Sequence, residues 1–286
     1  MKIGIGLPNT VPGTQGGDMR EWAIHAEAAG FSTLGTIDRL VYGNHESLIA
    51  LSYAAAVTDR IGLLTSMLLG PLRSNNTLLA KQAASLDVLS GGRLTLGLAV
   101  GGRQDDFDVS GIDFHQRGKL FDRQLEDLRR FWSGEKVGFA GGIGPEPQEG
   151  RPEVVIGGRS DASFRRAAKF AGWMMGGGPP DSFPPEIEKL EAEWKAAGRE
   201  GEPRKLALGY YGLGPGARDQ VRGYITDYYG FLGPEAAEGF AASVPTEPEV
   251  IKERLEAFAA LGCDEFILFP TSADAAQVEL LADAVL

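Results

Sequence analysis

Short apolar segments alternate with amphipathic helical segments along this 286-residue chain, and the alternation limits the fold more than any other feature. The apolar segments are nearly continuous, which is typical of strands buried on both faces of a parallel sheet. Eight such strands separated by helices over about 250 residues predict an α/β fold, the (β/α)8 TIM barrel. The predicted strands cover residues 3–9, 33–38, 61–68, 95–100, 153–158, 172–177, 206–213 and 265–270.

The ends of the helices and the loops agree with one continuous unit. Asp18 begins the first helix in a capping-box pattern, and Gly30 stops it. Two Gly- and Pro-rich segments, 138–152 and 176–185, are predicted loops and are too short to link separate cores. An open doubly wound sheet is the alternative, but it would carry a dinucleotide fingerprint after its first strand, where this sequence reads Leu-Pro-Asn-Thr. We therefore expect a single (β/α)8 barrel domain over residues 1–286.

Composition excludes several classes of protein. The chain has 39 acidic and 28 basic residues, and a net charge of -11 repels polyphosphate, so we expect no nucleic-acid partner. One cysteine and three histidines predict no metal site. No run approaches the roughly 18 consecutive apolar residues of a membrane span, and the first residues resemble a strand rather than a signal peptide. We expect a cytoplasmic protein with no membrane partner.

Candidate catalytic residues follow the second predicted strand. Asp38 and Arg39 lie at its end, and His45 lies in the loop after it. Active sites of such barrels lie at the C-terminal ends of the strands. Asp38 can accept hydrogen bonds from a ligand there, and Arg39 can hold an anion or a developing oxyanion. The structural alternative is an ion pair that closes the loop, with His45 as a polar loop residue.

Glycine-rich turns follow the fourth and fifth predicted strands. They contain Gly101 and Gly102 in the first turn, and Gly157, Gly158, Arg159 and Ser160 in the second. Glycine lets a ligand approach the backbone, while an arginine, a serine and the start of a helix supply charge and donors for a phosphate. The alternative is a tight turn with the serine as an N-cap. Because the two strands are neighbours, the turns should face one another.

These segments together resemble the luciferase-like monooxygenase family, whose members bind flavin mononucleotide (FMN) or the deazaflavin coenzyme F420. The most specific part is AASLDVLSGGRLTLG at 83–97. VVIGGRSDASFRRAAKFAGWM, from position 154, is a second match, and EVIKERLEAFAALGCDEFILFP, from position 249, is a third. The resemblance covers nearly the whole chain and implies the same (β/α)8 barrel.

The resemblance implies a cofactor whose tricyclic ring lies across the barrel mouth and whose phosphate lies at the fifth strand. Ser66 and Met67 would hold a bulge under the ring, often with a non-prolyl cis peptide. The implied cofactor-binding residues are Ser66, Met67, Val100, Gly101, Gly102, Gly157, Gly158, Arg159 and Ser160. The tetrapeptide Thr-Ser-Met-Leu slightly favours F420 over FMN. A basic patch of Arg39, Arg73, Arg103 and Arg159 would then receive its anionic tail.

Position 39 departs from the family pattern. Many relatives have a histidine there, after an acidic or polar residue, and use it for proton transfer, whereas this chain has Arg39 after Asp38. The proton then comes from another group, with His45, Tyr42 and His115 as candidates, or Arg39 acts by electrostatic stabilisation.

The predicted function is that of a flavin- or deazaflavin-dependent oxidoreductase, acting by hydride transfer or oxygen insertion on a small-molecule substrate. One alternative is a protein of the same fold that binds the cofactor without turnover. Another is a barrel lyase or isomerase, which would need a Schiff-base lysine or a metal cluster at a strand end. Relatives in the family are often dimers, so a homodimer is also expected.

Overall fold

Strands and helices alternate along the chain in a computed structural model that describes residues 1–139, 141–147 and 152–286. The strands are β1 (Lys2–Gly6), β2 (Thr33–Thr36), β3 (Gly62–Thr65), β4 (Leu68–Leu69), β5 (Leu94–Ala99), β6 (Glu153–Gly157), β7 (Gly172–Gly176), β8 (Arg204–Tyr211) and β9 (Glu265–Pro270). The helices are α1 (Gly16–Ala29), α2 (Ser47–Ala55), α3 (Asn76–Leu89), α4 (Gln104–Val109), α5 (Arg117–Trp132), α6 (Asp161–Ala167), α7 (Phe183–Ala196), α8 (Ala217–Tyr228), α9 (Pro234–Ser243), α10 (Pro248–Ala260) and α11 (Ala276–Val285). Part of the predicted loop 138–152 lies outside the described residues.

The sheet is parallel and closes on itself. Its order is β3-β2-β1-β9-β8-β7-β6-β5-β4, and a further pairing of β3 with β5 completes the ring. Because β3 and β4 both pair with β5, they are two pieces of one barrel strand. The predicted (β/α)8 barrel is therefore confirmed. Closure brings the C-terminal ends of all the strands to one rim.

The third barrel strand is interrupted, although the sequence predicts it as continuous over 61–68. The gap between β3 and β4 contains a cis peptide bond between Ser66 and Met67. This is the non-prolyl cis peptide implied by the family resemblance. We refer to Ser66 and Met67 as the bulge.

Several predicted strand ends differ from those observed. The first two strands end at Gly6 and Thr36, because the apolar residues that follow them are buried outside the strand and do not mark its end. The strand predicted over 206–213 begins earlier, at Arg204. The predicted loop 176–185 is also shorter, since α7 begins at Phe183 with prolines in its first turn, where a helix needs no N–H donor.

Glycines on β1 and β2 make room inside the barrel for two large side chains of β9. A Cβ at Gly4 would lie 2.6 Å from Ile267, and a Cβ at Gly35 would lie 2.9 Å from the ring of Phe269. A Cβ at Gly6 would overlap that ring. The alternation of isoleucine and glycine in β1 thus sends large side chains outward and leaves space inward. The interior is packed below the rim.

The outer faces of the strands are covered by the helices. Their buried contacts come from large apolar side chains such as Trp22 of α1, Leu128 of α5, Leu190 of α7 and Phe258 of α10. These residues lie on the apolar faces that the sequence pattern predicts. Within the described part of the chain, no helix has the length and apolar character required to cross a membrane.

Candidate active site

Two cavities lie at the rim formed by the C-terminal ends of the strands. The mouth pocket, about 540 Å³, is lined by Ile37, Ser66, Met67, Gly176, Gly177, Gly178, Pro179, Leu208, Gly209, Tyr210, Tyr229, Phe240, Ser243, Val244, Arg254 and Phe266. The anion pocket, about 510 Å³, is lined by Ala99, Val100, Gly101, His115, Arg117, Gly118, Gly157, Gly158, Arg159, Ser160, Ala162, Ser163 and Arg166. The mouth pocket contains the bulge, and the anion pocket contains both glycine-rich turns.

The two glycine-rich turns line one cavity, as their neighbouring strands predict. Gly101 and Gly158 have φ values of 85° and 115°, in the left-handed region that favours glycine. A Cβ at Gly158 would also lie 2.6 Å from Oγ of Ser163. Gly102 does not line the cavity. Both turns therefore have a backbone conformation that glycine permits and that leaves the main chain accessible to a ligand.

The anion pocket is cationic. Three arginines and a histidine line it, and no carboxylate among the described residues does so. Arg166 is paired with Asp122 at 2.7 Å, but Arg159 is 3.9 Å from its nearest carboxylate and 49% exposed. Nε of Arg117 is buried and has no hydrogen-bond partner in the described residues. A phosphate would supply the missing acceptor and offset this excess of positive charge.

Sequence reasoning did not identify Arg117 and Arg166 as site residues. Both belong to helices, where a charged side chain is more often on a solvated face, and only the closed barrel brings them to the glycine-rich turns. The position of α6 directly after the second turn was the one available signal for Arg166.

Ser160 has a structural role in addition to its predicted one. Its Oγ accepts a hydrogen bond from the backbone N–H of Ser163 at 3.3 Å, so it is the N-cap of α6. The same hydroxyl is also hydrogen-bonded to Oγ of Ser163 at 3.0 Å, so both of its contacts are made to the first turn of α6.

The bulge forms one wall of the mouth pocket. Met67 packs across β5 and β6, since a Cβ at Gly97 would lie 3.1 Å from its Sδ and a Cβ at Gly157 would lie 2.8 Å from its Cγ. Oγ of Ser66 is buried and lacks a hydrogen-bond partner within the described ranges. A flat ligand with polar edge atoms fits this wall, because it would cover the thioether and give the hydroxyl a partner.

Asp38 is buried at the end of β2, beside the segment that follows the bulge, and its carboxylate is bonded to groups of the chain itself. Both guanidinium Nη atoms of Arg73 donate to it, one of them at 2.9 Å, and the backbone N–H of Leu69 donates at 2.8 Å. Burial alone would lower the pKa of Arg73, but the carboxylates of Asp38 and Glu46 together outweigh this and raise it. The ion pair therefore ties the end of β2 to the segment that follows the bulge.

Arg39 lies outside both pockets, packed against aromatic rings. Its guanidinium carbon is 5.0 Å from the ring centroid of Tyr42 and 5.5 Å from that of Tyr228, and Nη1 donates to the Tyr228 carbonyl at 3.0 Å. Arg103 stacks on the same Tyr228 ring at 4.7 Å. The four arginines of the basic patch expected from the sequence are therefore in three places. Arg39 and Arg103 lie against Tyr228, Arg73 is paired with Asp38, and Arg159 lines the anion pocket.

The predicted proton donors do not line the mouth pocket. Nε2 of His45 is 2.8 Å from the Thr14 carbonyl oxygen, and His115 lines the anion pocket. The Tyr42 hydroxyl donates to Asp227, and burial together with this bond raises the pKa of Tyr42.

Two other phenols do line the mouth pocket. The hydroxyl oxygens of Tyr210 and Tyr229 are 2.9 Å apart, and burial raises the pKa of both, so each keeps its proton at neutral pH. Tyr229 was not identified from the sequence, because it lies in an aromatic-rich segment that reads as core.

The described residues offer little for lyase or metal chemistry. They contain no group of three or more His, Cys, Asp or Glu side chains placed to hold a metal ion. No described lysine lines either pocket, so a Schiff base has no candidate there. Cys263 is a buried thiol, and burial raises its pKa to about 12.

Comparisons with known proteins agree with the fold. A family model described as luciferase-like monooxygenase matches residues 1–215. An uncharacterized protein of Mycobacterium tuberculosis is 30% identical over 267 residues, covering 82% of this chain and 90% of that protein. The FMNH2-dependent dimethylsulfone monooxygenase of Pseudomonas fluorescens is 27% identical over 239 residues, covering 77% of this chain and 64% of that enzyme.

Solved structures share the whole fold at low identity. An F420-dependent secondary alcohol dehydrogenase, in complex with an F420-acetone adduct, gives a TM-score of 0.79 at 17% identity and covers 99% of this chain and 98% of that one. A monooxygenase of Streptomyces bottropensis gives a TM-score of 0.79 at 22% identity with the same coverage. At this identity the likeness concerns the fold.

The Asp38–Arg73 pair predicts a large and specific loss of stability. Asp38→Asn leaves the buried Arg73 charge without its main partner, and we expect the free energy of unfolding to fall by roughly 3 kcal/mol. Glu46→Gln is the matched control, because Glu46 also pairs with Arg73 but from a half-buried position and Gln keeps an oxygen that can cap α2, so it should cost about 1 kcal/mol or less. Urea unfolding measures both. Equal losses in the two variants would show that the buried pair does not hold the bulge segment.

Proposed function

Because the chain belongs to the luciferase-like monooxygenase family, we propose that it is an oxidoreductase that uses F420 or FMN to convert a small organic substrate, by hydride transfer or oxygen insertion. The observation that carries this proposal is the pair of cavities at one rim. One is cationic and lined by glycine backbone, and the other contains the bulge, whose Ser66 hydroxyl has no partner among residues 1–139, 141–147 and 152–286. A phosphorylated tricyclic cofactor has a phosphate that matches the cationic cavity and a flat ring with polar edge atoms that matches the bulge.

The anion pocket holds the phosphate in this proposal. Backbone N–H groups from Gly157 to Ser160 and the guanidinium of Arg159 bind it, with Val100 and Gly101 along the side of the cofactor and Gly102 just outside the cavity. Arg117 and Arg166, together with His115, add positive charge to the same cavity. Charge-assisted hydrogen bonds of this kind are the strong ones in proteins.

The bulge holds the ring end. Ser66 donates or accepts a hydrogen bond at the ring edge, and Met67 packs under its face. When bound, the cofactor supplies the hydride or oxygen-activating chemistry, which no side chain of the chain provides. The protein positions the reacting groups and limits access of water to them.

The remaining candidate residues act around the ring. Tyr210 and Tyr229 hold a proton at the mouth pocket and can donate it to a substrate. Asp38 positions the bulge through Arg73 and Leu69. Arg39 pairs with Asp105 and holds the Tyr228 carbonyl, which is next to Tyr229, and His45 fixes the loop after β2 through the Thr14 carbonyl.

Between the two cofactors we favour F420. Arg159 is half exposed and His115 is exposed, so the outer end of the anion pocket is open to solvent. F420 has an anionic tail that continues beyond its phosphate, and an open cationic end accommodates it, whereas FMN ends at the phosphate. A titration with each oxidised cofactor decides between them.

The phosphate assignment predicts the effect of a double substitution. Arg159→Ala with Ser160→Ala removes one charged donor and one hydroxyl from the anion pocket, and cofactor binding should weaken about 10- to 100-fold. Fluorescence titration with oxidised F420 and FMN measures this. Arg165→Ala is the control. Arg165 lies in α6, the helix that follows Ser160, and it is exposed and does not line the pocket. Unchanged affinity in the double variant would reject the assignment.

We also propose that residues 1–286 form one domain that assembles as a homodimer. β1 pairs with β9, which joins the two ends of the chain in one sheet. A cavity of about 560 Å³ between α2 and α3 carries exposed apolar side chains, with Ile49 70%, Leu78 51% and Leu89 85% exposed. Exposed apolar surface of this kind is typical of an interface between protein subunits.

The homodimer is tested by charge substitutions on this surface. Ile49→Glu with Leu89→Glu should convert a dimer to a monomer, because two charges would have to be buried without partners. Size-exclusion chromatography with light scattering measures the mass. Val250→Glu, on α10, is the control for an exposed apolar residue elsewhere and should leave the mass unchanged. A wild-type monomer would contradict the proposal.

A further inference from the structure

The mouth pocket extends across the barrel. With β3 and β4 counted as one strand, β8 lies four positions away from it in either direction around the ring. The bulge is therefore on one wall of the pocket, while Leu208, Gly209 and Tyr210 of β8 are on the opposite wall. The wall opposite the bulge is completed by α9 and α10, and a cofactor ring held at the bulge leaves that side for a second molecule.

The side of the pocket opposite the bulge contains an unpaired cation. Arg254 alone carries charge among the described residues that line the mouth pocket. Its Nη2 donates to the Ser243 carbonyl at 3.0 Å, and it forms no ion pair within the part of the chain that the structure describes. Burial lowers the pKa of Arg254, and no carboxylate opposes the effect. A partly buried guanidinium without an anion is costly, and a bound carboxylate offsets that cost.

The same side of the pocket is otherwise aromatic and apolar. Tyr229 and Phe240 pack edge to face with ring centroids 4.7 Å apart, and Tyr210 packs on both of them. Leu208 and Val244 extend this surface. A molecule that fits here has an apolar body and one anionic end. A single guanidinium matches a carboxylate, whereas the anion pocket, with its three arginines, matches a phosphate.

We propose that Arg254 is the recognition group of a substrate subsite for organic carboxylates with an apolar or aromatic body. This inference rests on the proposed function, because it names the class of substrate that the same mouth pocket takes. The carboxylate pairs with Arg254, and the body of the substrate lies against Tyr229 and Phe240 and faces the bulge.

If Arg254 had only a structural role, replacing it would not remove a preference for a carboxylate over its neutral analogue. The carbonyl that it binds belongs to Ser243, the last residue of α9, so the bond could serve only to close that helix. Arg218 makes the same kind of bond, to the Val244 carbonyl at 3.0 Å, and does not line the mouth pocket. Arg218→Met is therefore a matched control for Arg254→Met.

The test uses phenylacetate as the probe and phenylacetamide as its neutral analogue, with binding measured by calorimetry on the full chain. Wild type and the Arg218→Met variant should bind phenylacetate at least about tenfold more tightly than phenylacetamide. Arg254→Met should lose that preference, and Arg254→Lys should recover part of it. Thermal melting shows that each variant is folded.

Several outcomes would overturn the inference. These are equal affinity of the wild type for the two probes, a preference that survives Arg254→Met, or no saturable phenylacetate binding up to about 10 mM. Titration of the same samples with oxidised F420 and FMN keeps the two proposals distinct. Cofactor binding without phenylacetate binding removes the subsite alone, while Arg254-dependent phenylacetate binding without cofactor binding removes the redox function and leaves a carboxylate site.

Discussion

Space inside the barrel is the constraint on which the rest of the structure depends. Two of the large side chains inside the barrel lie against glycines of other strands: Phe269 lies where Gly6 and Gly35 have no Cβ, and Met67 lies across Gly97 and Gly157. The interior is therefore closely packed below the bulge, and the mouth pocket begins at the level of the bulge. The packed interior therefore leaves the mouth pocket at the C-terminal ends of the strands, with the bulge as one of its walls.

Charge is distributed unevenly over an acidic protein. The net charge is -11, yet three arginines gather around the glycine-rich turns, and a fourth, Arg254, is the one charged side chain that lines the mouth pocket in the described part of the chain. The other arginines near the rim are neutralised or packed, as Arg73 is by Asp38 and Arg39 is by aromatic rings. Positive potential is thus confined to two places, which attracts anions to the site without making the whole surface attractive to polyanions.

The sequence predicted the fold and the meeting of the two glycine-rich turns at one cavity, for identifiable reasons. Alternation of buried strands and amphipathic helices is a local property, so the barrel could be read directly. The glycine-rich turns could be read as well, because residues such as Gly158 are needed for their backbone conformation. The pairing of Asp38 with Arg73 could not be read, since it joins residues 35 positions apart through the closed barrel.

The helix residues of the site were beyond sequence reasoning for the same reason. Arg117, Arg166 and Arg254 look like ordinary surface charges on amphipathic helices, and only the closure of the barrel turns them toward the rim. The sequence around Tyr229 is typical of a buried core, but Tyr229 lines the mouth pocket. Residues supplied by strand ends are predictable from the order of the elements, whereas residues supplied by the surrounding helices depend on the three-dimensional packing.

The central claim is that the anion pocket holds the phosphate of a redox cofactor whose ring reaches the bulge. The most direct measurement compares each cofactor with its form that lacks the phosphate, FMN with riboflavin and F420 with its dephosphorylated riboside. We predict saturable binding of F420 or FMN that is at least about tenfold tighter than binding of the matching dephosphorylated form. Equal affinity for the two forms, or no binding of either cofactor, would contradict the account.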